Sequence, residues 1–253
     1  MKSWGLGALI LLWAAGAWAG GAGQAVDVEI RSDGGRLLPL YPVSGVASGR
    51  RLYAEAVKGE RYTILVRNRL DRRIGVVVAV DGRNIISGRR SWLKSDERMY
   101  VLEPYAQGEF SGWRTSLESV NRFYFTEADD SYAAAFHDET AMGVIAVAAY
   151  PEVPRREEPA ELQPAVPRSL DRAAPSTKAE SERAGTGYGP REHSPVRVVA
   201  FEPEKTAADR FFIKYEWRSV LCRQGIIRSG CSRPPRNRFW DEGEFAPPPP
   251  GRS

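Results

Sequence analysis

Residues 61–88, RYTILVRNRLDRRIGVVVAVDGRNIISG, constrain this chain more than any other stretch. Tyr62, Ile64 and Val66 alternate with Thr63, Leu65 and Arg67, the period of a strand with one buried face. A polar break over 68–73 follows. Residues 74–80 are then almost wholly apolar and strongly β-branched, and Asp81-Gly82 ends the run as Asp-Gly does in a two-residue hairpin turn. The pattern predicts a central strand pair with a short return strand, the nucleus of an antiparallel sheet.

Further strand-like runs flank it at even spacing: AVDVEI at 25–30, an alternating run over 51–57, 99–102, 109–114, the aromatic NRFYFT at 121–126, and MGVIAVAAY at 142–150. Residues 36–41 are expected to pair back after the turn at Asp33-Gly34-Gly35, and 131–136 read as a strand or a single helical turn. No helical stretch is long enough to serve as a βαβ crossover, which argues against a parallel α/β sheet. The expected fold is mostly β, an antiparallel β-sandwich of immunoglobulin-like or jelly-roll topology.

Composition divides the chain. Residues 1–19 carry Lys2, an apolar run and Ala17-Trp18-Ala19, the pattern of a cleaved secretory leader. Residues 20–150 are the sandwich. Residues 151–190 are rich in proline and mixed charge and poor in aromatics, and read as a flexible linker. Residues 191–253 form a C-terminal extension with two strands, VRVVAF at 196–201 and RFFIKYEWR at 210–218. The second places Phe211, Ile213, Tyr215 and Trp217 on one face and Phe212, Lys214, Glu216 and Arg218 on the other. Two strands cannot bury a core alone, so they are expected to dock on the sandwich or on a neighbour. Cys222 and Cys231 are expected to form a local disulfide, in keeping with export. The last residues, with NRFW and four prolines, read as an extended tail.

The formal charge of +4, from 36 Lys and Arg against 32 Asp and Glu, is mild, and no aromatic-interleaved basic patch points to nucleic acid. The two histidines, His137 and His193, lack ligand partners at helical spacing, so no metal set is indicated. No Gly-x-Ser-x-Gly elbow or phosphate loop is present, and no cofactor is implied. Candidate ligand-binding residues lie instead on loops. Asp81, Arg83 and Asn84 sit at the hairpin, where a turn role competes with a ligand-facing one. Asp129, Asp130 and His137 belong to an acidic cluster with Glu127, Asp138 and Glu139. Trp92 and Trp113, with Tyr105, would make a platform for a sugar ring or peptide if they reached the surface together.

The runs RRIGVVVAVDGRNIISG, YVLEPYAQGEFSGWR, RFYFT, SYAA and MGVIAVAAY, with the tail elements GTGYG, RFFIKYEW and NRFW…FAPPPP, resemble a group of bacterial exported proteins of unassigned function. The resemblance implies a periplasmic or surface location and a tail that belongs with the domain; it supplies no catalytic residue. The leading expectation is a non-catalytic envelope module that binds or scaffolds a partner, an envelope protein or a glycan. The alternatives are a carbohydrate-binding module or a glycoside hydrolase using Glu127, Asp129 or Glu139, and an assembly subunit that donates the strands of 196–218 to a neighbour.

Overall fold

The computed structural model describes residues 21–43, 50–154 and 183–231; the leader, most of the linker and the proline tail lie outside the described residues. In chain order the strands are β1 (Gly21–Ala22), β2 (Val26–Ser32), β3 (Leu40–Pro42), β4 (Arg50–Ala56), β5 (Tyr62–Asn68), β6 (Ile74–Val80), β7 (Arg83–Asn84) and β8 (Tyr100–Leu102). They continue as β9 (Gln107–Phe110), β10 (Gly112–Arg114), β11 (Ser119–Arg122), β12 (Phe125–Glu127), β13 (Val144–Pro151), β14 (Ala184–Thr186), β15 (Arg191–His193) and β16 (Asp209–Trp217), and a short helix α1 (Arg218–Arg223) follows.

The chain is mostly β. A four-stranded sheet runs β1-β2-β5-β9, and a seven-stranded sheet runs β3-β4-β16-β13-β6-β7 with β8 also paired to β6. Two small sheets, β10-β11-β15 and β12-β14, complete it. Among the described residues every strand pairing is antiparallel except β4 with β16, where Leu52 lies opposite Ile213 in a parallel ladder. A parallel pair needs a long crossover, and more than 150 residues of chain separate these two strands.

One apolar core joins the two large sheets. Val28 and Ile30 of β2 and Ile64 and Val66 of β5 meet Val76 and Val78 of β6, Ile145 and Val147 of β13 and Phe211 and Ile213 of β16. Alternation in β2 therefore reads out as buried and half-buried positions in turn. Residues of β6 are buried on both faces, because Val77 and Ala79 join Ala146, Ala148, Tyr150 and Leu93 in a second apolar cluster on the outer side of the sheet. That double burial is why the segment has no polar alternation.

Several expectations need correcting. Residues 196–201 form no strand: Val196 N–H donates to Leu117 O, and Val198 is 79% exposed. A β-branched run makes a ladder only where its backbone lies along a strand edge, and here the Val196 N–H is spent on the loop carbonyl of Leu117. Residues 184–186, placed in the linker by composition, are the fully buried strand β14. The chain at 121–126 is shared between β11 and β12. Residues 134–136 make a single 3-10 turn. Leu37 bridges Arg31 only once, and β3 pairs with β4 instead. The strand of 210–218, by contrast, docks on its own chain as expected, pairing with β13 and β4 in the interior of the sheet.

Candidate ligand-binding pocket and the Asp81 network

Asp81 and Gly82 link β6 to β7 as a two-residue turn, with Val80 opposite Arg83 and positive φ at both turn residues, 49° and 78°. This is the backbone that Asp-Gly favours. The turn drives the Asp81 carboxylate inward, where it is fully buried. Its Oδ1 accepts the Gly143 N–H at 2.8 Å and the Tyr215 hydroxyl at 2.5 Å, and its Oδ2 accepts the Thr186 N–H at 2.7 Å. The Thr186 hydroxyl lies 2.6 Å from Tyr215 Oη and 2.8 Å from Tyr62 Oη. Each hydroxyl has one proton. With Tyr215 committed to Asp81, Thr186 donates to Tyr215 and Tyr62 donates to Thr186. Burial pushes the Asp81 carboxyl up to about 6, against the lowering effect of these hydrogen bonds. Burial likewise pushes the Tyr62 and Tyr215 phenols up. Asp81 is thus a buried anchor that ties β6, β13, β14 and β16 together, and it is sealed from ligand.

Asn84, also buried, works locally. Its Oδ1 accepts the N–H groups of Ile86 and Ser87, and its Nδ2 donates to Arg98 O at 2.8 Å. Arg83 donates from Nη1 to Gly88 O at 2.8 Å, and its guanidinium lies 4.1 Å from the centre of the Phe136 ring. Asp138, almost fully buried, accepts Arg90 Nε at 2.9 Å and the Thr140 hydroxyl at 2.8 Å. Burial pushes the Asp138 carboxyl up, but the Arg90 and Thr140 bonds outweigh it and hold it below the usual carboxylate range. The bond to Arg90 fastens the loop at 88–94 to the segment at 138–141.

Loop 91–97 winds around one carboxylate. Glu97 accepts the N–H groups of Trp92 and Lys94, at 2.8 and 3.0 Å, and the Ser91 hydroxyl at 2.7 Å. Burial raises the Glu97 carboxyl, but those donors and Asn84 bring it below its ordinary value. Leu93 turns inward at φ 53°, and its carbonyl accepts the Tyr150 hydroxyl. Trp92 is left outside, 71% exposed.

Beneath Trp92 the outer face of the seven-stranded sheet opens as a cavity of about 440 Å3. Its floor is apolar, with Ala79, Val144, Ala146 and Phe212, and Arg90 and Arg210 stand at its sides. No Asp or Glu is among the residues lining it. A cavity of this size suits a small ligand or one unit of a larger one. Two larger clefts are less selective in their chemistry. One of about 600 Å3 beside the exposed Tyr105 mixes Asp27 and Glu29 with Arg67 and Arg69. The other, of about 670 Å3, runs between the segments at 95–103 and 195–203 and carries Asp96, Glu97 and Glu103 as well as Arg98 and Arg114.

The remaining expected residues are scattered. Trp113 is 2% exposed; its indole donates to Gly187 O at 3.1 Å and meets Phe123 edge-on. No platform of Trp92, Tyr105 and Trp113 therefore exists. Asp129 and Asp130 lie exposed on the 3-10 turn Ala128–Asp130. His137 caps the next turn in left-handed backbone at φ 54°. Glu127 is paired with Lys58 and Glu139 with Arg183 at 2.7 Å, and none of these carboxylates lines the Trp92 pocket. Among the described residues no group of three or more His, Cys, Asp or Glu is arranged to hold a metal ion. Arg90, Arg210 and Phe212 were not singled out from the sequence. The available signal was the second face of 210–218, where Arg210 and Phe212 share parity, and the RRSWLK run around Trp92.

Cys222 and Cys231 are joined by a disulfide that closes the turn after α1. No helix among the described residues is long and apolar enough to cross a membrane. Comparison with protein-family models, with curated proteins and with solved structures finds no match for this chain.

Proposed function

We propose that this protein is an exported, non-catalytic binding module of the bacterial cell envelope, and that its ligand sits on the outer face of the seven-stranded sheet against Trp92. The observation that carries the reading is a large aromatic side chain, 71% exposed, beside an apolar floor. An exposed tryptophan costs solvation free energy unless something covers it, and loop 91–97 is hydrogen-bonded so as to hold it out.

The export reading draws support from the leader-like residues 1–19 and from the Cys222–Cys231 disulfide, which suits an oxidising compartment. The non-catalytic reading draws support from the fate of the carboxylates: Asp81 and Asp138 are buried in structural hydrogen bonds, and Glu127 and Glu139 are held in ion pairs.

The test is a saccharide and glycopeptide array probed with the full chain and with Trp92→Ala. The reading expects ligands that the parent chain retains and the variant releases, with unchanged melting temperature. An array on which the two proteins bind identically contradicts it.

A further inference from the structure

We propose that the pocket beneath Trp92 selects an anionic saccharide, a sugar ring carrying a carboxylate or phosphate. This rests on the binding reading above and names its ligand class. The charge argument comes from what lines the cavity. Two guanidiniums, Arg90 and Arg210, flank it, and no acidic residue does. Two carboxylates touch lining residues from outside the cavity: Glu97 takes the Ser91 hydroxyl and the Trp92 N–H, and Asp138, almost fully buried, is bound to Arg90 Nε and the Thr140 hydroxyl. Arg90 therefore keeps both Nη groups for a ligand. Arg210 is exposed and makes no side-chain hydrogen bond or ion pair with another described residue. Some surface arginines are paired, as Arg31 is with Glu109, Arg72 with Glu204 and Arg218 with Glu55, and others such as Arg51 and Arg89 are not paired with a described residue; Arg210 differs from both groups in standing beside an apolar floor whose lining holds no acidic residue. An arginine left without a carboxylate beside an apolar floor offers its planar donors to an oxyanion.

The ring argument comes from shape and wetness. Trp92 offers an indole that remains largely in water, which suits a ligand with one C–H face and one hydroxylated edge. A wholly apolar ligand would leave the guanidiniums desolvated and unpaired. Ser91 and Thr140 also line the cavity; their hydroxyl protons go to Glu97 and Asp138, so toward a sugar hydroxyl their oxygens can act only as acceptors.

The experiment is calorimetric titration of the full chain, disulfide intact, with trigalacturonate, with mannose 6-phosphate and with neutral trigalactose. Trp92→Ala and Arg210→Gln are measured alongside, with thermal melts to confirm that both fold. The expected result is binding of an acidic probe about tenfold tighter than trigalactose, a preference that weakens with added salt. Arg210→Gln should remove most of that preference and leave the neutral affinity in place, and Trp92→Ala should abolish binding of all probes. The carboxylate and phosphate arms show which anion is preferred. Equal affinity for acidic and neutral saccharides, lost in Trp92→Ala, would overturn the anionic selectivity and leave the pocket standing. Failure of every probe to bind the folded parent chain would overturn both.

Discussion

The Tyr215 hydroxyl donates to Asp81 Oδ1 at 2.5 Å across 134 positions of sequence. Through that one bond the central strand β16 is fixed to the hairpin turn after β6. The same carboxylate also holds Gly143 and Thr186, so four segments distant in sequence share one buried acceptor.

Removing that acceptor should be costly in proportion to the donors left behind. Asp81→Ala strands three buried donors and places alanine at φ 49°, and should destabilise by about 3–5 kcal/mol. Asp81→Asn keeps one acceptor oxygen and tolerates the left-handed backbone, and should lose about 1–3 kcal/mol. Denaturant midpoints of the two variants check the ranking. Equal losses would mean that the hydrogen bonds contribute little.

Asp81 also gives stability a pH dependence opposite to that of Asp138 and Glu97. Its folded-state value, about 6, lies above its ordinary 3.8, so the folded chain holds the proton more tightly than the unfolded chain. The resulting stability is fully present below the ordinary value and is lost as pH rises through the folded one. The advantage of the parent chain over Asp81→Asn should shrink by up to about 3 kcal/mol between about pH 4 and pH 7. Asp138 and Glu97, both lowered, act in the other direction and lose stability as pH falls. Subtracting the two denaturation curves isolates Asp81, and an advantage that grows toward neutrality would contradict the assignment.

The two tail segments should separate cleanly by mutation. Ile213 is fully buried between the sheets, and Ile213→Ala should cost about 2–5 kcal/mol. Val198 is 79% exposed, and Val198→Ala should fall within about 0.5 kcal/mol of the parent. A chain ending before Asp209 should not fold cooperatively, because it removes the strand between β4 and β13 and leaves their facing edges unpaired in the middle of the sheet. Circular dichroism melts decide all three.

Breaking the disulfide should act mainly on the end of the fold. The loop closed by Cys222 and Cys231 is short, and replacing both cysteines with serine should cost about 2–3 kcal/mol by chain entropy. Hydrogen exchange should rise first in α1 and the turn at 224–231, ahead of β13 and β6.

Much of the core was readable from alternation. Residues 62–67 and 74–80 announced β5 and β6, and Asp81-Gly82 announced its own turn. The tail was harder, because VRVVAF and RFFIKYEW look alike to propensity, and only the available edge between β4 and β13 distinguishes them. The short strand β14 was hidden because Ala-Gly-Thr carries little apolar area. It is buried by the glycine's small size, with Ser131, Ala128 and Met142 crowding against Gly185. The candidate site was legible in one residue, Trp92. Its partners Arg210 and Phe212 lie more than a hundred residues away and meet it only through the β13–β16 ladder.

The most direct test of the Trp92 pocket follows the indole N–H resonances of the labelled chain by NMR during titration with trigalacturonate. Trp113 is an internal control, since its indole is buried and bonded to Gly187 O. The account predicts a saturable shift of the Trp92 indole and of the Arg210 and Phe212 amides, with the Trp113 indole unmoved. A Trp92 resonance that stays in place while others shift would put the ligand site elsewhere and contradict the central claim.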